Sequence, residues 1–213
     1  MIIRKPDEIE KESMKIIGSE LQTMGIRIPE ENRAVVYRTI HASADFDYAR
    51  NLFFTDGAVR RGIEAVRRGR AVITDTNMAL SGVHKRSLLR YGNPAVCYMA
   101  DPQVAERAEK LGTTRAEVSM RKAAEIYPDG IYVIGNAPTA LLTLADMIRQ
   151  GLSPSLVIGV PVGFVNVIES KEKIRQICLQ AEVPAIIAAG RKGGSSVAAA
   201  IMNAILYQAA GRG

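Results

Sequence analysis

Tryptophan is absent from this chain of 213 residues, aromatic residues make up only 5%, and there are just two cysteines and two histidines. Each scarcity excludes something. Proteins that bind single-stranded nucleic acid stack bases on aromatic side chains, and few are available here. Disulfide frameworks and thiolate metal sites need clustered cysteines, whereas Cys97 and Cys178 lie far apart in apolar surroundings. They are expected to be buried thiols in a reducing compartment, with no metal site around them. Long apolar runs are also missing. The longest, residues 156–168, is too short for a bilayer span and is broken by Gly159, Pro161 and Gly163. The opening Met1-Ile2-Ile3-Arg4-Lys5-Pro6 turns charged at once, unlike a secretion signal. A cytoplasmic protein with no membrane association is expected.

What is present is enough apolar content, 47%, for one well-packed core, and no linker or repeat divides the chain. A single domain over residues 1–213 is expected. The net charge of +6 points to an anionic ligand. Nucleic acid would be the default partner, and its binding would weaken steeply with salt. Yet Arg60, Arg61, Arg67 and Arg68 avoid the apolar stripe of Val59, Ile63 and Val66, so they form a solvated helix face rather than a nucleic-acid patch.

One stretch concentrates reactive groups: Arg38-Thr39-Ile40-His41-Ala42-Ser43-Ala44-Asp45-Phe46-Asp47-Tyr48. Pro29, Glu30 and Glu31 mark a helix start, and Val36 and Ile40 form its apolar stripe. If that helix runs on, Arg38, His41 and Asp45 share a face. A histidine between a cation and a carboxylate is either an ordinary surface residue of a charged helix or a tunable proton carrier, because free imidazole titrates near pH ~6.5. Upstream, residues 6–25 show a helical period with Ile9, Ser13, Ile16, Ile17, Leu21 and Met24 on the inward stripe. Ser13 there is a tolerated small residue or a ligand contact.

From residue 71 a regular pattern begins. Apolar, largely β-branched runs at 71–74, 95–98, 131–134, 156–158 and 185–187 are separated by helical patterns. Strands spaced roughly 25 to 35 residues apart with helices between them predict βαβ units and a parallel sheet. Asp101-Pro102 opens one helix and Gly112 ends it. Thr114-Arg115-Ala116-Glu117 is a capping box, and Pro138 opens a helix with Leu141, Leu142, Ala145 and Ile148 inward. The expected fold is α/β: a five-stranded, mainly parallel sheet, doubly wound, preceded by helical N-terminal elements.

Ligands of such sheets bind beyond the carboxyl ends of the strands. There stand Asp75-Thr76-Asn77-Met78, Gly135-Asn136-Ala137-Pro138-Thr139, Val160-Pro161-Val162-Gly163-Phe164 and Gly190-Arg191-Lys192-Gly193-Gly194-Ser195-Ser196. The last is a glycine-rich loop entering a helix, where backbone N–H groups, Arg191 and Lys192 can converge on an anion. It lacks the spacing of a nucleotide phosphate loop, which argues against an enzyme acting on a phosphorylated ligand.

These segments, together with Ser81-Gly82, Gly112-Thr113-Thr114-Arg115 and Glu169-Ser170-Lys171, resemble the precorrin-8X methylmutase family over nearly the whole chain. The runs Gly135-Asn136-Ala137-Pro138-Thr139-Ala140 and Pro161-Val162-Gly163-Phe164-Val165 are its most specific features. The resemblance implies a flavodoxin-like three-layer sandwich, a homodimer, and no methyl donor or protein-bound cofactor. It implies transfer of a methyl group from C-11 to C-12 of precorrin-8 or cobalt-precorrin-8, giving hydrogenobyrinate or cobyrinate on the route to cobalamin. His41 would be the catalytic proton carrier, and His84 non-catalytic. Substrate contacts would come from Ser13, Arg38, Lys85, Arg115, Asn136, Arg191, Lys192, Gly193, Gly194 and Ser195, since a flat ring fringed with carboxylates wants an apolar slot with a cationic rim. Ala44-Asp45-Phe46-Asp47-Tyr48 and Asp75-Thr76-Asn77-Met78 look more like the cobalt-dependent branch of that family than the metal-free one. A tetrapyrrole-binding protein without chemistry is the alternative.

Overall fold

The computed structural model describes residues 4–211. Residues 1–3, which enter the expectation of no secretion signal, lie outside that range.

The strands form because they are buried on both faces. β2 (Val72–Thr74), β4 (Ile131–Ile134), β5 (Leu156–Gly159) and β6 (Ala185–Ala188) are buried at every position, as parallel strands covered by helices must be. Alternate residues divide between two cores. Val72, Ile131, Val133, Leu156, Ile158 and Ile186 face one side. Ile73, Tyr132, Ile134, Val157 and Ile187 face the other. The first core is closed by α1 (Pro6–Thr23), α2 (Glu30–Ser43), α4 (Ala58–Arg67) and α11 (Ser195–Ala209). The second is closed by α8 (Arg115–Ile126), α9 (Pro138–Arg149) and α10 (Val167–Gln180). Helix α7 (Pro102–Leu111) packs outside α8 through Val104, Ala108 and Val118.

The sheet has six strands rather than the expected five, in the order β1-β6-β5-β4-β2-β3, with β3 covering Ala95–Val96. The added strand is β1 (Leu52–Phe54), which follows the short α3 (Tyr48–Asn51) and pairs antiparallel with β6. This addition matters for function. Because β1 runs against its neighbour, Leu52 lies opposite Ala188, and the residues before it, including the end of α2, arrive at the carboxyl edge of the sheet. Among the parallel strands the order turns between β2 and β4, since β3 lies on one side of β2 and β4, β5 and β6 on the other. A crevice at such a reversal is where ligands of open α/β sheets bind.

Several helical details differ from the expectations. Along α1, Ile17 and Leu21 are buried but Ile9 and Ile16 are exposed, so the inward stripe is narrower than the sequence period implies. In α9, Leu144 is fully buried and Leu142 is half-buried, because α9 packs against both α8 and α10. Thr114 caps α8 by accepting the Glu117 N–H, but the Glu117 carboxylate engages Thr113 and Arg121 instead of closing the box. Cys178 is buried and Cys97 half-buried, both as free thiols. Among the described residues, no helix is long and apolar enough to cross a membrane.

Candidate active site

At the crevice, β2 is followed directly by Asp75, whose side chain is fully buried. Its carboxylate accepts the backbone N–H groups of Gly135, Asn136 and Ala137 at 2.9, 2.8 and 2.7 Å. Burial raises its pKa, and those three N–H groups act against the rise. One anion thus holds the whole β4–α9 loop across the reversal of strand order. The next residue, Thr76, caps α5 (Asn77–Gly82) and shares a 2.8 Å hydroxyl bond with Ser195. That bond ties the end of β2 to the glycine-rich loop between β6 and α11.

The glycine-rich loop is packed tightly against its neighbours. A Cβ on Gly193 would stand 2.0 Å from the Val160 carbonyl oxygen, so no other residue fits without moving the backbone. The Gly194 N–H donates to that same oxygen at 2.9 Å, and Gly163 N–H donates to the Arg191 carbonyl at 3.3 Å. The Gly194 amide is therefore occupied within the protein, whereas the N–H groups of Arg191 and Gly193 have no backbone partner among the described residues. Beneath the loop lies Lys171 of α10, 2% exposed, whose ammonium donates to the carbonyls of Gly190 and Lys192 at 2.8 Å each. Loss of hydration lowers its pKa to about 8.

The end of α2 reaches the same loop. Helix α2 stops at Ser43, and Ala44 turns into the left-handed region at φ 53°. Asp45 therefore leaves the face it was expected to share with Arg38 and His41. It pairs with Lys192 at 2.7 Å, and Asp47 pairs with the same ammonium at 2.6 Å. The hydrogen bond from Lys192 holds the Asp45 carboxyl below the usual carboxylate range. His41 sits exposed in the last turn of α2.

Of the anticipated site residues, the structure brings Asn136, Arg191, Lys192, Gly193, Gly194 and Ser195 together with the helix end that carries His41. Arg115 begins α8 beside Thr139, through the Thr114–Thr139 hydroxyl bond, and is exposed at the rim. Three others are not tied to that loop by any contact among the described residues. Arg38 ion-pairs with Glu10 and lies 5.0 Å over the Tyr207 ring. Ser13 donates to the Ile9 carbonyl of its own helix. Lys85 is exposed at the start of α6 (Lys85–Tyr91), whose cap is His84. His84 takes the Ser87 N–H on Nδ1 and sets its ring edge-on to Tyr207, a structural task. An apolar wall completes the edge. Phe164 is 83% exposed with the Arg191 guanidinium 5.6 Å over its ring, and Val162, Val165 and Met78 are exposed as well.

Asp75 and Lys171 were not anticipated as groups that hold the site. Lys171 carried a signal, since it falls in the stripe Val167, Ser170, Ile174 and Cys178 where an apolar residue is expected. Asp75 directly follows a fully buried strand, which is also unusual for a carboxylate.

The family model for precorrin-8X methylmutase matches residues 8–208. A cobalt-precorrin-8 methylmutase from Priestia megaterium is 43% identical over 94% of this chain and 87% of its own length. One from Leptospira interrogans is 41% identical over 96% and 94%. The crystal structure of precorrin-8x methyl mutase from Thermus thermophilus superposes with a TM-score of 0.84 at 38% identity, covering 95% of this chain and 98% of that one. With a shared fold, shared length and this level of identity, the chain belongs to the precorrin-8X methylmutase family, isomerases of cobalamin biosynthesis.

Proposed function

We propose that the carboxyl edge of this sheet moves a methyl group from C-11 to C-12 of a precorrin-8 macrocycle, with His41 carrying the proton that assists the shift. The observation that supports this most is the double ion pair of Lys192 with Asp45 and Asp47, which pins the His41 helix end to the anion-binding loop. Proton carrier and anion loop then serve one ligand. The flat ring rests against Phe164, Val162 and Met78, and its carboxylates meet Arg191, Arg115 and free backbone N–H groups. His41 gives a proton to the macrocycle as the bond from the methyl to C-11 breaks and the bond to C-12 forms. It recovers that proton once the new conjugation is set, so no atom enters or leaves.

The substrate in this reading is the cobalt form, supported by the names of the Priestia and Leptospira relatives. A homodimer in the cytoplasm belongs to the same reading, since Phe164 and Val165 offer apolar surface outside the single-chain core. So does a flavodoxin-like label for the sheet, because its parallel strands, taken in chain order, run 2-1-3-4-5.

Mixing the purified protein with cobalt-precorrin-8 tests the reading. The visible spectrum should change without a methyl donor, and the product should have the mass of the substrate. Tight binding with an unchanged spectrum would instead establish a tetrapyrrole-binding protein.

A further inference from the structure

We infer that Lys171 is a positioning residue that turns the N–H groups of Arg191 and Gly193 outward as a paired subsite for one substrate carboxylate. This rests on the methylmutase reading above and adds a residue that the reading does not use.

Every peptide bond among the described residues is trans, and in a planar trans peptide the C=O and the following N–H point in opposite directions. Lys171 draws the Gly190 carbonyl toward α10, so the Arg191 N–H points away from α10. It draws the Lys192 carbonyl the same way, so the Gly193 N–H points away too. The intervening Arg191 carbonyl is held by Gly163 N–H, which keeps the loop from rotating back. Two N–H groups two residues apart and directed alike form a concave anion site. Both belong to solvent-accessible residues, and neither has a backbone acceptor among the described residues.

The choice of a lysine is otherwise hard to explain. Burying an ammonium costs stability, no carboxylate among the described residues pairs with it, and a methionine of similar length would fill the same volume without that cost. What methionine lacks is the ability to hold two carbonyls.

The test uses the full-length protein, a free-acid corrin product and its methyl ester. Lys171→Met should lose about tenfold of the preference for acid over ester, raise KM by a similar factor, and leave kcat within about threefold. In the wild type, titration with the free acid should move the Arg191 and Gly193 amide proton resonances downfield, and leave those of Gly135, Asn136 and Ala137 in place. The inference is overturned if Lys171→Met keeps the full acid preference, or if the two loop amides stay unmoved while corrin binds. The resonance arm decides the matter if the variant does not fold. A wild-type chain that binds no corrin overturns the methylmutase reading, and this inference with it.

Discussion

The β4–α9 loop and the β6–α11 loop leave the same edge of one sheet, yet buried groups of opposite charge hold them. Asp75 grips the first through three N–H groups, and Lys171 grips the second through two carbonyls. The consequence for ligand binding is opposite. A loop held by its amides has none to offer an anion, and its side chains must do the work, as Asn136 can. A loop held by its carbonyls keeps its amides outward, next to Arg191. In the proposed reading, backbone dipoles therefore favour the glycine-rich loop for the carboxylate, even before side-chain charge is counted. Lys192, the most prominent cation there, is already matched by Asp45 and Asp47. Its task is to dock the helix end bearing His41.

Breaking the first grip should have the largest effect on stability. Asp75→Ala leaves three N–H groups without their acceptor in a buried setting, and should cost about 3–5 kcal/mol. Urea unfolding measures this, and a midpoint close to wild type would mean that other groups hold the loop. The second loop is more sensitive to shape. Gly193→Ala pushes a methyl into the Val160 carbonyl and should cost about 2–3 kcal/mol together with corrin affinity. Gly190→Ala meets open space at φ 74° and should cost only about 1–2 kcal/mol. Equal losses for the two would show that conformation, and not the close approach to β5, controls the loop.

A smaller effect comes from pH. Burial lowers the Lys171 pKa from the ordinary 10.5 to about 8, so between those values the unfolded chain binds this proton more tightly than the folded one. Its contribution to stability is fully present above 10.5 and is lost as pH falls through about 8. Wild-type urea midpoints should therefore climb relative to those of Lys171→Met as pH rises from about 8 to about 10. Parallel profiles would place the Lys171 ammonium in water.

Much of this was legible in the sequence where burial and period coincide. The parallel strands appear as short apolar, mostly β-branched runs because both faces are covered, and Asp101, Pro102, Thr114 and Pro138 mark helix starts through local chemistry alone. Strand β1 was not legible. Three residues are too few to display a period, and its pairing with β6 is a long-range event that no local signal encodes. The same reason hid the grips. Sequence proximity links neither Asp75 to Gly135 nor Lys171 to Gly190, and neither the pairing of Arg38 with Glu10 nor that of Asp45 with Lys192 follows from helical spacing. The candidate residues near the glycine-rich loop were visible as residues, but not which of their donors remain free.

If loops bind and the helix end reacts, binding and turnover must separate at His41. His41→Ala, mixed with cobalt-precorrin-8 and followed by its visible spectrum, is the most direct measurement. Substrate affinity should stay within a few-fold of wild type while the rate of spectral conversion falls by ~10²–10⁴, and His84→Ala should convert within a few-fold of the wild-type rate. A His41→Ala enzyme that converts the chromophore at the wild-type rate would contradict the account.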